Sequence, residues 1–165
     1  MEIKLTLALP RDQLSVPVVR RILQQSLETL GIEKSTISDI GLALTEACTN
    51  VLDHAAGAEE YEVSAGIDGT ACVIEVIDRG HGFDGALKGL ADAEPHAEDG
   101  RGIQLMRALV DSVSFHNKPT VGTVVHMEKQ LVFPDGAVID MLDKPGTEYG
   151  PWSVDEHLED APEPR

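Results

Sequence analysis

Leu44-Thr-Glu-Ala-Cys-Thr-Asn-Val-Leu-Asp-His-Ala55 is the stretch from which the rest of the chain can be read. It lies in a run that opens at Ser35 or Thr36, whose apolar positions Ile37, Ile40, Leu44, Ala47, Cys48 and Val51 recur at helical spacing. The spacing predicts a helix to about Ala56 with one face packed on a core. Glu46 and Asn50 stand at i and i+4 and share a second face, turned roughly 100–140° from the first. A carboxylate and an amide oxygen on one face can act together, one as base and one as metal ligand. The same pair also suits a solvated helix surface.

The flanking sequence alternates between two periods. Ile3, Leu5, Leu7 and Leu9 alternate as a strand does. A helix capped by Asp12 is predicted to run to Gly31, with Leu14, Val18, Ile22, Leu23, Leu27 and Leu30 as its apolar stripe. After the central helix come strands over residues 61–68 and 71–78, joined by the turn Asp68-Gly69. A third helix is predicted over residues 103–111, then strands over 112–116 and 122–129. The order β-α-α-β-β-α-β-β predicts an α+β protein, a two-layer α/β sandwich. Its sheet is expected to be mixed and mostly antiparallel, with the helices on one face.

Composition narrows what such a domain does. The chain has 165 residues, enough for one domain, and a net charge of −16. That charge disfavours direct nucleic-acid binding and adsorption to an anionic membrane. No apolar run reaches the ~18 residues of a membrane span, and the N-terminus has no leader pattern. Cys48 and Cys72 lie in apolar stretches without metal-ligand spacing, which predicts buried reduced thiols and a cytoplasmic protein.

Two further motifs carry chemistry. Asp78-Arg-Gly-His-Gly82 ends a strand on which Cys72, Ile74, Val76 and Asp78 share one face. Asp78 is therefore expected to point into the helix layer, where a carboxylate needs a donor such as a purine amine. Gly80 and Gly82 allow close backbone approach. Gly100-Arg-Gly102-Ile103 opens the third helix, whose N-terminal amides suit a phosphate. No G-x-x-x-x-G-K-[ST] sequence is present, so the pattern is not that of a P-loop.

The three motifs in this order resemble those of the GHKL ATPase superfamily. Residues 44–55 are similar to its N box, Val76-Ile-Asp-Arg-Gly-His-Gly-Phe83 to its G1 box, and Gly100-Arg-Gly-Ile-Gln-Leu-Met106 to its G2 box. Gly122-Thr123 matches the Gly-Thr that closes the pocket, with Thr123 sharing a strand face with Val125 and Met127. The length and the N-terminal strand and helix resemble the bacterial anti-sigma factor serine/threonine kinases. The resemblance implies the Bergerat-type ATP-binding fold, with Mg²⁺ and ATP between the helix layer and a lid over residues 84–99. It implies that Asn50 is a Mg²⁺ ligand, that Asp78 accepts from the adenine amine near Gly80 and Gly82, and that Gly100, Arg101, Gly102 and Ile103 approach the phosphates. It also implies that Thr123 lines the pocket and that Glu46 is the general base, with His54 as a neighbouring group. The partners implied are a sigma factor, an anti-sigma-factor antagonist phosphorylated on Ser or Thr, and a second copy in a homodimer. The alternative is a non-catalytic ATP-binding module that acts by stoichiometric capture.

The resemblance covers roughly residues 3–129. Residues 130–165 hold nine acidic and two basic groups, a net of −7. The expected organisation is an ATP-binding domain over 1–129, an extension over 130–144 apolar enough to dock, and an acidic, Pro-rich tail over 145–165. Truncation after Lys144 is expected to leave the melting temperature and ATP affinity unchanged. A melting point lowered by many degrees would show that Trp152 and its neighbours pack on the domain.

Overall fold

A computed structural model of the chain describes residues 2–54, 59–68, 70–78, 98–118, 122–135 and 137. Its elements run β1 (Glu2–Pro10), α1 (Ser15–Thr29), α2 (Lys34–His54), β2 (Glu60–Asp68), β3 (Ala71–Asp78), α3 (Glu98–Leu109), β4 (Ser112–Lys118) and β5 (Gly122–Gln130). The sheet order is β1-β2-β3-β5-β4, with β5 inserted between β3 and β4. All four pairings are antiparallel, where a mixed sheet was expected. The α+β sandwich is otherwise as the element order predicts.

The register explains how the core is built. Along the helix-facing side, residues directly opposite one another form rows across the strands. Leu5, Ala65, Ile74, Met127 and Val113 make one row, and Leu7, Val63, Val76, Val125 and Phe115 the next. Lys4, Thr6 and Ala8 point the other way and are exposed, as the period of two requires. The next row is Leu9, Tyr61, Asp78 and Thr123, where the face turns polar. All four of these residues are buried.

α2 lies at the centre of the helix layer, with α1 and α3 packed on either side of it. Its predicted stripe of Ile37, Ile40, Leu44, Ala47, Cys48 and Val51 is buried throughout. α1 differs from expectation. Leu23 and Leu27 are buried, but Leu14 is 76% exposed and Val18 52%, with Ile22 also at the surface. The helix starts at Ser15, so Leu14 precedes its first turn. The face that meets the sheet is Val16, Val19, Leu23 and Leu27, and Val18 and Ile22 each lie one residue, about 100°, off it. Pro17 sits in the first turn, where its missing N–H costs nothing.

Asp12 is not the cap that the sequence predicts: Leu14 takes the N-cap position of α1, and Asp12 Oδ1 instead accepts from Leu14 N–H at 2.7 Å in the turn before the helix. The end of α1 is a Schellman turn. Ile32 N–H donates to Leu27 C=O at 3.2 Å and Gly31 N–H to Glu28 C=O at 3.0 Å, with Gly31 at φ +84°. At the other end of the sheet, Lys129 stitches the layers. Its Nζ donates to the Leu109 carbonyl at 2.7 Å, at the C-terminus of α3, and lies 3.2 Å from Asp39 Oδ2 of α2.

The packed domain continues past residue 129. Leu131 is buried and donates its N–H to Thr70 C=O at 2.7 Å, while Val132 C=O accepts from Glu33 N–H at 3.0 Å. Phe133 packs against the core, and Ala137 is buried. The remainder of the expected extension and tail lies outside the described residues.

Gly31→Ala places a Cβ in a left-handed conformation, at a cost of about 1–2 kcal/mol. The expected result is a lower urea midpoint with an unchanged m-value. Gly31→Asn should lose less, because Asn tolerates that region better.

Candidate active site

Glu46 and Asn50 are carried by the middle of α2, one turn apart and both half-buried. The sequence left open whether this face is solvated. The structure answers through α3, which crosses it at Gly102. A side-chain carbon added to Gly102 would stand 2.9 Å from Glu46 Oε2 and 3.5 Å from Asn50 Oδ1. Gly102 therefore lets a second helix approach the pair at backbone distance. The same contact brings the two α2 side-chain oxygens directly against the first turns of α3.

α3 begins at Glu98, five residues earlier than its apolar periodicity suggests. Gly100 thus falls among the first-turn amides that lack helical acceptors, whereas the amide of Gly102 enters the helical ladder. Free N–H groups are confined to the first turn, and Gly102 allows the close packing of α3 on α2. The cause is that the polar first turn, Glu98-Asp-Gly-Arg101, carries no apolar signal from which a helix could be read. Arg101 is exposed and Ile103 is buried in the core. The predicted lid overlaps α3 at residues 98–99. The rest of the lid, Gly80 and Gly82, and the side chain of His54 lie outside the described residues.

Asp78 and Thr123 are directly opposed across β3 and β5, each 1% exposed. Asp78 ends the strand after Ile74 and Val76 and faces the helix layer, as the alternation predicts. Thr123 Oγ1 is buried without a hydrogen-bond partner. A buried hydroxyl left unpaired is costly, so this one points to a polar group that completes it. The two oxygens of α2, the close approach at Gly102 and this unpaired hydroxyl beside a carboxylate fit a nucleotide with a polar base. Among the described residues no three His, Cys, Asp or Glu side chains gather as a metal cluster. Mg²⁺ needs no such cage when phosphates supply most of its oxygens, and Asn50 Oδ1 suits the remaining position.

The polar row continues into a buried hydrogen-bonded chain that sequence reasoning missed. Ser15 Oγ donates to Asp12 C=O at 2.6 Å, so its oxygen is left to accept from Tyr61 O–H at 2.7 Å. Cys48 lies against Tyr61 in turn. Burial pushes the Cys48 thiol up to about 12, and burial likewise pushes Tyr61 up to about 12. Cys72, buried on β3, is raised to about 12 for the same reason. Both cysteines are free and buried, so neither presents a thiolate near neutral pH. Arg11 was also missed. It follows Pro10 at the end of β1, and its guanidinium lies 3.8 Å from Asp78 Oδ1.

Comparisons with known proteins give the family and the fold. Residues 9–129 match the family described as histidine kinase-like ATPase domain. The anti-sigma F factor of Pasteuria penetrans is 36% identical over 103 residues, covering 58% of this chain and 69% of that protein. The serine-protein kinase RsbW of Bacillus licheniformis is 33% identical over 109 residues, covering 59% and 68%. That of Bacillus velezensis is 30% identical over 135 residues, covering 74% and 82%. A crystal structure of the RsbU and RsbW domains of a Mycobacterium tuberculosis protein superposes with a TM-score of 0.61 at 24% identity. It covers 80% of this chain and 33% of that one, and shows the shared fold.

The raised thiol and phenol values make stability sensitive to alkali. Below pH 9 these groups are neutral in both states, so their contribution is constant. From the ordinary thiol value of 9.0 and phenol value of 10.0 up to about 12, the unfolded chain ionises and the folded one does not. Stability should therefore fall as pH rises through that window. Urea midpoints measured from pH 7 to 11 are expected to stay level to about pH 9 and then decline.

Proposed function

We propose that this chain, which belongs to the histidine kinase-like ATPase domain family, is an anti-sigma regulatory kinase. It binds a sigma factor and uses Mg²⁺ and ATP to phosphorylate an anti-sigma-factor antagonist on Ser or Thr. The observation that carries this reading is the close contact of Glu46 and Asn50 with Gly102 of α3, together with Asp78 and Thr123 buried opposite one another on β3 and β5. The relatives named anti-sigma F factor and serine-protein kinase RsbW support the choice of reaction and partners. A helix long and apolar enough to cross a membrane does not occur among the described residues.

Each residue has a role that its chemistry permits. Asp78 accepts a hydrogen bond from the adenine amine, and Thr123 Oγ1 finds its missing partner in the same ligand. Asn50 Oδ1 would hold Mg²⁺, which would supply positive charge to the phosphates. Gly100 and Arg101 approach the phosphates from the first turn of α3, and Gly80 and Gly82, which follow β3 in the sequence, approach the nucleotide. Glu46 takes the proton of the partner's hydroxyl as that oxygen bonds to the γ-phosphorus. The bond from the γ-phosphorus to the bridging oxygen breaks, and ADP leaves with the electron pair. The active species is a homodimer, as in the resemblance that the motifs carry.

Glu46→Ala should separate chemistry from capture. A positioned base contributes about 10²–10⁴-fold to rate. The variant is expected to bind ATP and the sigma factor, yet to transfer label from γ-labelled ATP to the antagonist at least 10²-fold more slowly by that estimate. Wild type that transfers nothing to any antagonist would favour stoichiometric capture. A variant as fast as wild type would remove Glu46 from the role.

Asp78→Asn turns part of an acceptor into a donor facing the base amine. Loss of one charged hydrogen bond typically costs ~1.5–3 kcal/mol, or about ten- to hundred-fold in ATP affinity by calorimetry. Asn50→Ala is expected to weaken ATP binding in Mg²⁺ and to change it little in EDTA.

A further inference from the structure

We propose that Arg11 is a positioning residue of the nucleotide site, holding Asp78 in place for the base and tying it to the helix that carries Glu46 and Asn50. The proposal rests on the reading of Asp78 given above and adds a residue to it. Arg11 lies outside all three sequence motifs, in the turn that leaves β1.

The guanidinium works in two directions. Nη2 donates to the Val51 carbonyl at 2.6 Å and approaches the Leu52 carbonyl at 3.3 Å. Both carbonyls lie in the last turn of α2. A cation there also meets the negative end of the helix dipole. Nη1 points the other way, 3.8 Å from Asp78 Oδ1. That nitrogen is buried and has no hydrogen-bond partner, while the side chains of Arg11 and Asp78 are 14% and 2% exposed. The backbone of Arg11 is itself fixed, its N–H donating to Glu59 C=O at 2.9 Å.

One planar group thus spans two parts of the site. Val51 follows Asn50 directly, so the carbonyl that Arg11 grips is next to the residue assigned to Mg²⁺. Asp78 is the residue assigned to the base. The guanidinium sets the spacing between them and supplies positive charge to a carboxylate buried at the end of an apolar strand. Lys presents a single point of charge and cannot serve both directions at once.

The test uses the full chain and two ligands, ATP and purine riboside triphosphate, which lacks the 6-amino group. Wild type should prefer ATP by about tenfold or more, the worth of one charged hydrogen bond. Arg11→Gln keeps a donor for the α2 carbonyls and removes the charge facing Asp78. It is expected to melt cooperatively, to bind purine riboside triphosphate nearly as well as wild type, and to lose most of the preference for ATP. Arg11→Lys should show an intermediate preference. If Arg11→Gln fails to fold, Arg11→Lys decides: reduced preference supports the proposal, and an unreduced one overturns it. Unchanged preference in Arg11→Gln, or equal weakening of both ligands, would overturn the positioning role and leave the adenine contact of Asp78 standing. A wild type that does not distinguish the two ligands would overturn both.

Discussion

The structure depends on one costly placement, the carboxylate of Asp78 buried where an apolar sheet face meets the helix layer. Two rows of the sheet, from Leu5 to Val113 and from Leu7 to Phe115, are apolar and fully paired. The next row brings together Tyr61, Asp78 and Thr123 under the helices. A charged group in that position is tolerable only with polar partners around it. The surroundings follow from this need. Arg11 brings a guanidinium to one side, Thr123 a hydroxyl to the adjacent strand, and Tyr61 leads into a hydrogen-bonded chain ending at the start of α1.

α2 carries two tasks on two faces. Its apolar stripe is among the most deeply buried surface of the domain, which gives the helix a fixed axis and rotation. Glu46 and Asn50 inherit that rigidity because they are on the same helix. Preorganised groups of this kind cost no reorganisation at the moment of reaction. The helix is also anchored at both ends, by Lys129 at Asp39 and by Arg11 at Val51 and Leu52. Gly102 then determines how closely α3 can approach, since any larger residue there would meet Glu46 Oε2 at 2.9 Å.

Ligand chemistry and fold stability share residues in this arrangement. In the proposed reaction the base is read by strand termini and by side chains that also close the core, and the phosphates are met by the polar first turn of α3, which carries the exposed Arg101.

Much of this was legible in the sequence because it is periodic. The alternation of β3 placed Asp78 on the face of Ile74 and Val76, and the stripe of α2 set Glu46 and Asn50 apart from the core. The order of elements predicted the α+β sandwich. Periodicity failed where two neighbouring phases were both apolar, so Val18 and Ile22 of α1 were read as core beside Leu23 and Leu27, while the core positions Val16 and Val19 were missed. It failed again at the polar first turn of α3, where a helix forms without an apolar signal. The contact of Arg11 with α2 spans 40 residues, and its approach to Asp78 spans more, so no local pattern encodes either. The sequence by itself determined which residues share a face. Only the tertiary structure decided which faces meet, because long-range contacts depend on how whole elements pack and not on the spacing within any one of them.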